Sequence, residues 1–276
     1  MKKIIITLIS AIMAITTNAQ GSFEVFDLDG FKLHVYNSGD VMADASYIVE
    51  GTDSLVLMEE PLFKTAASQF AEYVLKLGKP VARRVADYHI GASGNHPLTF
   101  AEGMSSFVKG PVYGGMMKHF QQQFGDKMVA LPDGPTDEVP FGETVVWAGV
   151  PFKFTHGASS DFPAAAIIIG GQVYYTHWTP AKAHISPLQI SSPAAVDAEI
   201  AAAETELNSG AKLFIGGHGG ATDKEAVEFK IAYLGKVKEL LAKDKTADAF
   251  IADMKAAYPG LPGEGNLTGL AQALYK

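Results

Sequence analysis

The feature that most constrains how this chain can fold is an ordering that occurs twice: closely spaced β-rich runs, then helix. The first set comprises residues 23–26, 31–36, 46–49 and 55–58, separated by the turn signals Asp29-Gly30, Ser38-Gly39-Asp40 and Gly51-Thr52-Asp53. Runs so short and so close pair antiparallel in a meander. A helix over 62–77 follows, with Phe63, Ala66, Ala67, Phe70, Val74 and Leu77 at helical spacing and a stop at Gly78; residues 80–86 are the next strand. The second set is 144–148, 152–155, 165–169 and 173–176, with a tight hairpin at Gly170-Gly171-Gln172. Between the sets, 113–124 is expected as helix, 129–131 as strand and the Pro/Gly/Asp-rich stretch 132–140 as an exposed turn.

The last third is helical. Ser192-Pro193 is an N-cap and first-turn proline for a helix ending near Gly210, and a buried strand covers 212–215. Thr222-x-x-Glu225 is a capping box opening a helix to about Lys243, with Val227, Ile231, Leu234, Val237 and Leu241 as its buried stripe. Further helices are expected over 247–258 and 267–275. Two halves of strands plus helix, packed face to face, make a four-layer αββα sandwich: an α/β fold in one domain.

Composition narrows the function. With 47% apolar and 19% charged residues among 276, the chain buries a sizeable core and is not disordered. It has no cysteine, which excludes disulfides, thiolate zinc sites, cysteine nucleophiles and a lipoprotein anchor. Twenty-two Lys+Arg face 30 Asp+Glu without a basic patch, so nucleic acid is not an expected partner. Lys2-Lys3, an apolar run over 4–15 and the small-residue end Thr16-Thr17-Asn18-Ala19 form a secretory signal over 1–19, cleaved after Ala19. The run falls short of the ~20 residues that a span needs, and no later run reaches that length. A soluble exported protein, periplasmic or secreted, is expected, with residues 20–276 as the mature domain. No sequence signal speaks to an oligomeric state.

Four of eight histidines share one setting: each follows a predicted strand in a loop of small residues. They are His89 in Asp87-Tyr88-His89-Ile90-Gly91-Ala92, His156 in Thr155-His156-Gly157-Ala158, His177 in Thr176-His177-Trp178, and His218 in Gly216-Gly217-His218-Gly219-Gly220. Strand ends on one sheet edge converge, and converging imidazoles are good ligands for a borderline-soft divalent metal. His34 shares a strand face with Lys32, away from Phe31, Leu33 and Val35, and is structural; His119 is a helix-surface residue. His96 and His184 lie in loops near the proposed site. Of these, His184 is the candidate substrate contact, with Tyr88 and Trp178 as an aromatic wall.

In element order and histidine placement the chain resembles the metallo-β-lactamase-fold superfamily over nearly its whole mature length. Members usually carry H-x-H-x-D-H in the first histidine loop. Here the first His stands as Asp87, the second is kept as His89, the Asp stands as Gly91 and the last His as Ala92. The family's next ligand looks like His156, its bridging aspartate is replaced by His177, and its final Gly-His-Gly histidine looks like His218. The resemblance thus implies metal ligands among Asp87, His89, His156, His177 and His218. Loss of the bridging carboxylate implies one zinc ion rather than two. His89, His156 and His177 with either Asp87 or His218 would form its near-tetrahedral shell, or Asp87 would instead orient His89.

A mononuclear hydrolase is then expected, acting on a small-molecule ester, amide, lactone or phosphoester through water whose pKa the metal lowers to ~7. The family's motif aspartate is absent, so the base is sought among Asp87, Glu59 or Glu60, and Asp161. The competing expectation is a non-catalytic metal- or ligand-binding protein on the same fold. A di-iron redox site needs the bridging carboxylates that the substitutions remove.

Overall fold

The computed structural model describes residues 21–91, 97–131, 135–158 and 165–275. The first sheet follows chain order, β1 (Ser22–Leu28), β2 (Phe31–Asn37), β3 (Ala45–Glu50), β4 (Leu55–Met58), β5 (Val81–Val85), β6 (Leu98–Ala101) and β7 (Thr136–Val139). β1 to β4 form the antiparallel meander that their tight turns require, and β4 to β7 run parallel. The parallel step from β4 to β5 needs a crossover, supplied by α1 (Lys64–Leu77), which stops at Gly78 with φ +66°.

The second sheet orders as β13 (Gly220–Thr222), β12 (Leu213–His218), β11 (Val173–Trp178), β10 (Ala165–Ile169), β9 (Val150–His156) and β8 (Thr144–Trp147). α4 (Pro193–Leu207) crosses from β11 to its parallel neighbour β12. α5 (Lys224–Lys243), α6 (Ala247–Ala257) and α7 (Asn266–Leu274) close the chain.

Leu33, Val35, Tyr47, Val49, Met58, Phe152, Phe154, Ile167, Tyr175 and Ile215 fill the space between the two sheets. α1 covers the outer face of the first sheet through Ala66 and Phe70 on Ile48 and Leu57. α4 and α5 cover the second through Ala203 and Val227 on Ala166, Tyr174 and Phe214. The result is the expected αββα sandwich. Among the described residues no helix is long and apolar enough to cross a membrane.

Four local expectations are corrected. Residues 129–131 form no strand; the strand is β7, inside the stretch read as an exposed turn, where its pairing with β6 outweighs the flanking prolines. β6 and the short α2 (Met104–Val108) were not expected, because segments of four or five residues carry no usable period. They precede α3 (Pro111–Phe124), and this α2–α3 hairpin packs Met104, Tyr113 and Met117 on Tyr88, Ile90 and Phe100. α5 is capped by Asp223, whose carboxylate accepts from the Ala226 amide, while Thr222 ends β13.

Candidate metal centre

Strand direction creates the site. β4 and β5 run parallel, as do β11 and β12, and β9 runs with β11 because both are antiparallel to β10. The sheets meet at this edge: the Tyr47 hydroxyl donates to Gly216 O at 2.6 Å, and Asp44 bridges to His218. Groups just beyond β4 and β5, at the ends of β11 and β12, and just before β3 therefore face one another.

Asp44, His89 and His218 each place a ligand atom within 4.8 Å of the others. Asp44 Oδ1 lies 3.1 Å from His218 Nδ1 and 3.7 Å from His89 Nε2. Tetrahedral zinc, with bonds of 2.0–2.1 Å, sets neighbouring donors roughly 3.3 Å apart, so these two separations fit one ion. Among the described residues no amide, hydroxyl, ammonium or guanidinium donates to either oxygen of buried Asp44; the two imidazoles are what face it. Burial pushes its carboxyl up, but the imidazoles of His89 and His218 outweigh that and hold it below the usual carboxylate range. A buried carboxylate facing two imidazoles, with no other donor for its oxygens, is a donor set suited to a cation.

His177 stands beside this trio, its ring centroid 5.0 Å from that of His218 and 5.7 Å from that of His89. Its Nδ1 is 3.9 Å from Asp87 Oδ2, and its ring lies 4.3 Å from Tyr88. Burial, then the neighbouring His218 and His89, hold it well below the usual histidine range. Trp178 stacks on His218 at 4.4 Å.

The surrounding shell explains why the loop of His89 sits where it does. Glu59, at φ +51°, accepts from the amides of Asp87 and His89, and its Oε2 lies 3.6 Å from His89 Nδ1. Its burial pushes the carboxyl up. Arg84 pairs with Glu60 and donates to Gly91 O at 2.9 Å. The Tyr113 hydroxyl donates to Tyr88 O at 2.7 Å. A Cβ on Gly91 would come 2.1 Å from Glu60 O and 2.2 Å from Pro61 O, so no side chain fits where the family motif has its aspartate. A Cβ on Gly217 would crowd Glu59 Oε2, His89 and His177 at 3.0–3.3 Å.

The structure brings together His89, His177, His218, Asp87, Glu59, Tyr88 and Trp178 from the sequence expectations. His156 is exposed at the end of β9 with its ring 3.9 Å from Phe141, apart from the trio. His184 is buried in the α5–α7 layer, bonded to the Tyr233 hydroxyl at 2.9 Å, because its loop tucks under those helices rather than over the strand ends. Asp161, His96 and Ala92 lie outside the described residues. Asp44 and Tyr113 were missed by sequence reasoning. The only trace of Asp44 was the turn signal preceding it, Ser38-Gly39-Asp40.

No protein-family model and no curated protein matches the sequence. Solved structures do match. A metallo-beta-lactamase family protein from Thermus thermophilus aligns at TM-score 0.60 and 16% identity, over 89% of this chain and 91% of that one. A beta-lactamase domain protein from Burkholderia ambifaria aligns at TM-score 0.58 and 13% identity, over 96% and 89%. The stereoselective inverting sec-alkylsulfatase Pisa1 from Pseudomonas sp. aligns at TM-score 0.59 and 16% identity, over 91% of this chain but 49% of the other. The chain has the metallo-β-lactamase fold.

Proposed function

We propose that the chain is an exported hydrolase whose Asp44, His89 and His218 hold one zinc ion. The observation that carries this reading is the buried Asp44 carboxylate, with no fixed cation among the described residues, within 4.8 Å of two imidazole nitrogens. Lactamases and an alkylsulfatase sharing the fold support the hydrolytic class. The proposed ligand set takes Asp44 in place of Asp87, His156 and His177.

Zinc bound there would act as a Lewis acid and generate nucleophilic water near neutral pH. Glu59 Oε2, 3.6 Å from His89 Nδ1, favours a proton on that nitrogen by charge alone, and Nε2 is the atom that faces Asp44 and the ion. Asp87 is the proposed base, because it lies on the loop of His89 with its Oδ2 3.9 Å from His177 Nδ1. Tyr88 and Trp178 wall the site. The acidic surroundings favour a neutral ester, amide or lactone over a phosphoester.

One observation favours the competing reading, a non-catalytic metal binder: the packing at Gly91 excludes the family's motif carboxylate. Elemental analysis combined with hydrolysis of chromogenic esters separates the two, comparing the intact chain with His218→Ala and Asp87→Asn. About one zinc per chain with turnover lost in both variants supports the hydrolase. Zinc without turnover supports the binder, and absence of zinc refutes both. Export is tested by N-terminal sequencing of the periplasmic protein, expected to begin at Gln20.

A further inference from the structure

We infer that residues 38–44, between β2 and β3, form a strap that a bound cation fastens over His218, so that filling the metal centre and closing this edge are one equilibrium. This rests on the reading of Asp44 as a ligand and adds what that ligand does to its own loop.

The strap already lies across the end of β12. Gly219 N donates to Ala43 O at 3.1 Å, His218 Nδ1 lies 3.0 Å from Met42 O, and Asp44 bridges to His218. Within the strap, Asp40 Oδ1 accepts from the amides of Met42 at 2.9 Å and Asp44 at 3.2 Å, while Ser38 N donates to Asp44 O at 3.0 Å. These bonds shape the loop; they do not compensate its buried charge.

Two features oppose closure. Ala43 sits at φ +55°, a region that side-chain-bearing residues adopt at a cost. The Asp44 carboxylate is taken out of water facing only imidazoles, with no amide, hydroxyl or fixed cation among the described residues on either oxygen. At the strap's tip Val41 is 80% exposed, so no core contact pins it there. A cation shared by Asp44, His89 and His218 removes the second penalty, because it supplies the missing partner. An ion on His218 Nδ1 would replace the proton facing Met42 O and exchange one weak tie for coordination through Asp44. A cation that binds only the closed strap stabilises closure by mass action, and closure raises cation affinity by the same factor.

The test is hydrogen exchange on the chelator-treated full chain as zinc is added, in the intact protein and in Asp44→Asn, compared at matched zinc saturation. With zinc at about 100 times its Kd, exchange at 38–44 and at the Gly219 amide is expected to slow by roughly tenfold to a hundredfold in the intact protein. In Asp44→Asn, where zinc retains His89 and His218 with lower affinity, these amides are expected to keep their zinc-free rates. Equal slowing in both proteins, or stoichiometric zinc without slowing in the intact one, overturns the strap while leaving the metal reading in place. Failure of the intact protein to bind zinc overturns the metal reading and the strap with it. If near-UV circular dichroism shows Asp44→Asn misfolded, Asp40→Ala reads the same linkage. Asp40 is not a ligand, yet loosening the strap should weaken zinc binding by about fivefold or more, and an unchanged affinity overturns the inference.

Discussion

Between α4 and α5, Lys230 Nζ lies 2.7 Å from Glu199 Oε2 with Glu206 beside them, all three buried; at the strand-end edge, Asp44, Glu59 and Asp87 face imidazoles instead of an ammonium or guanidinium. The helical cluster balances itself. Burial pushes Glu206 up to about 7, against the pull of Lys230, so the lysine that pairs with Glu199 stands beside a second carboxyl that holds its proton up to neutral pH. At the other edge the guanidinium of Arg84 is taken by Glu60, and among the described residues Asp44 has no fixed cation. Buried charge of this kind persists only with compensation, so its absence among the described residues points to a cation from outside.

The largest expected effect breaks the balanced side. Lys230→Met removes the ammonium from buried Glu199 and Glu206 and should cost about 3–5 kcal/mol in urea unfolding; a loss under about 1 kcal/mol would show that the cluster is not balanced by its lysine. Next comes pH. Glu206 titrates near 7 folded against about 4.3 unfolded, so between those values the folded state holds the extra proton and stability falls as pH rises. Glu206→Gln should flatten that fall, worth up to about 3 kcal/mol between pH 5 and pH 8, in denaturation curves at the two values.

On the unbalanced side, zinc at about 100 times its Kd should add about 2.7 kcal/mol to the intact protein, and nothing to His218→Ala, by thermal unfolding with and without chelator. An equal gain in both would place the ion elsewhere. The smallest effect is at Tyr113→Phe, which removes the donor to Tyr88 O. Stability should fall by about 1–2 kcal/mol, and zinc affinity by roughly tenfold, in competition with a chromophoric chelator.

Much of the fold was legible from local pattern. The meander β1–β4, helix α1, strands β8–β11 and helices α4 to α7 all stand close to where period and turn residues put them. β6, β7 and β13 did not show, being three or four residues long and stabilised by neighbours on the sheet rather than by their own alternation. At the site, His89, His177 and His218 were legible because each follows a strand. His156 follows one too, yet it is exposed against Phe141, since a strand end says which edge a residue reaches and not what it meets there. Asp44 had no such marker: it precedes β3, and its partners His89 and His218 come from the loop after β5 and from the opposite sheet.

Sequence alone determined the repeated strand-then-helix order, and with it the sandwich and the edge on which the histidines collect. Those depend on side-chain period and turn chemistry, which act over a few residues. Only the tertiary structure decided that Asp44 joins His89 and His218 while His156 and His184 stay apart, and that Gly91 must remain bare. Such choices arise where two sheets and a loop close on one another, and the distances there are set by packing between segments far apart in the chain.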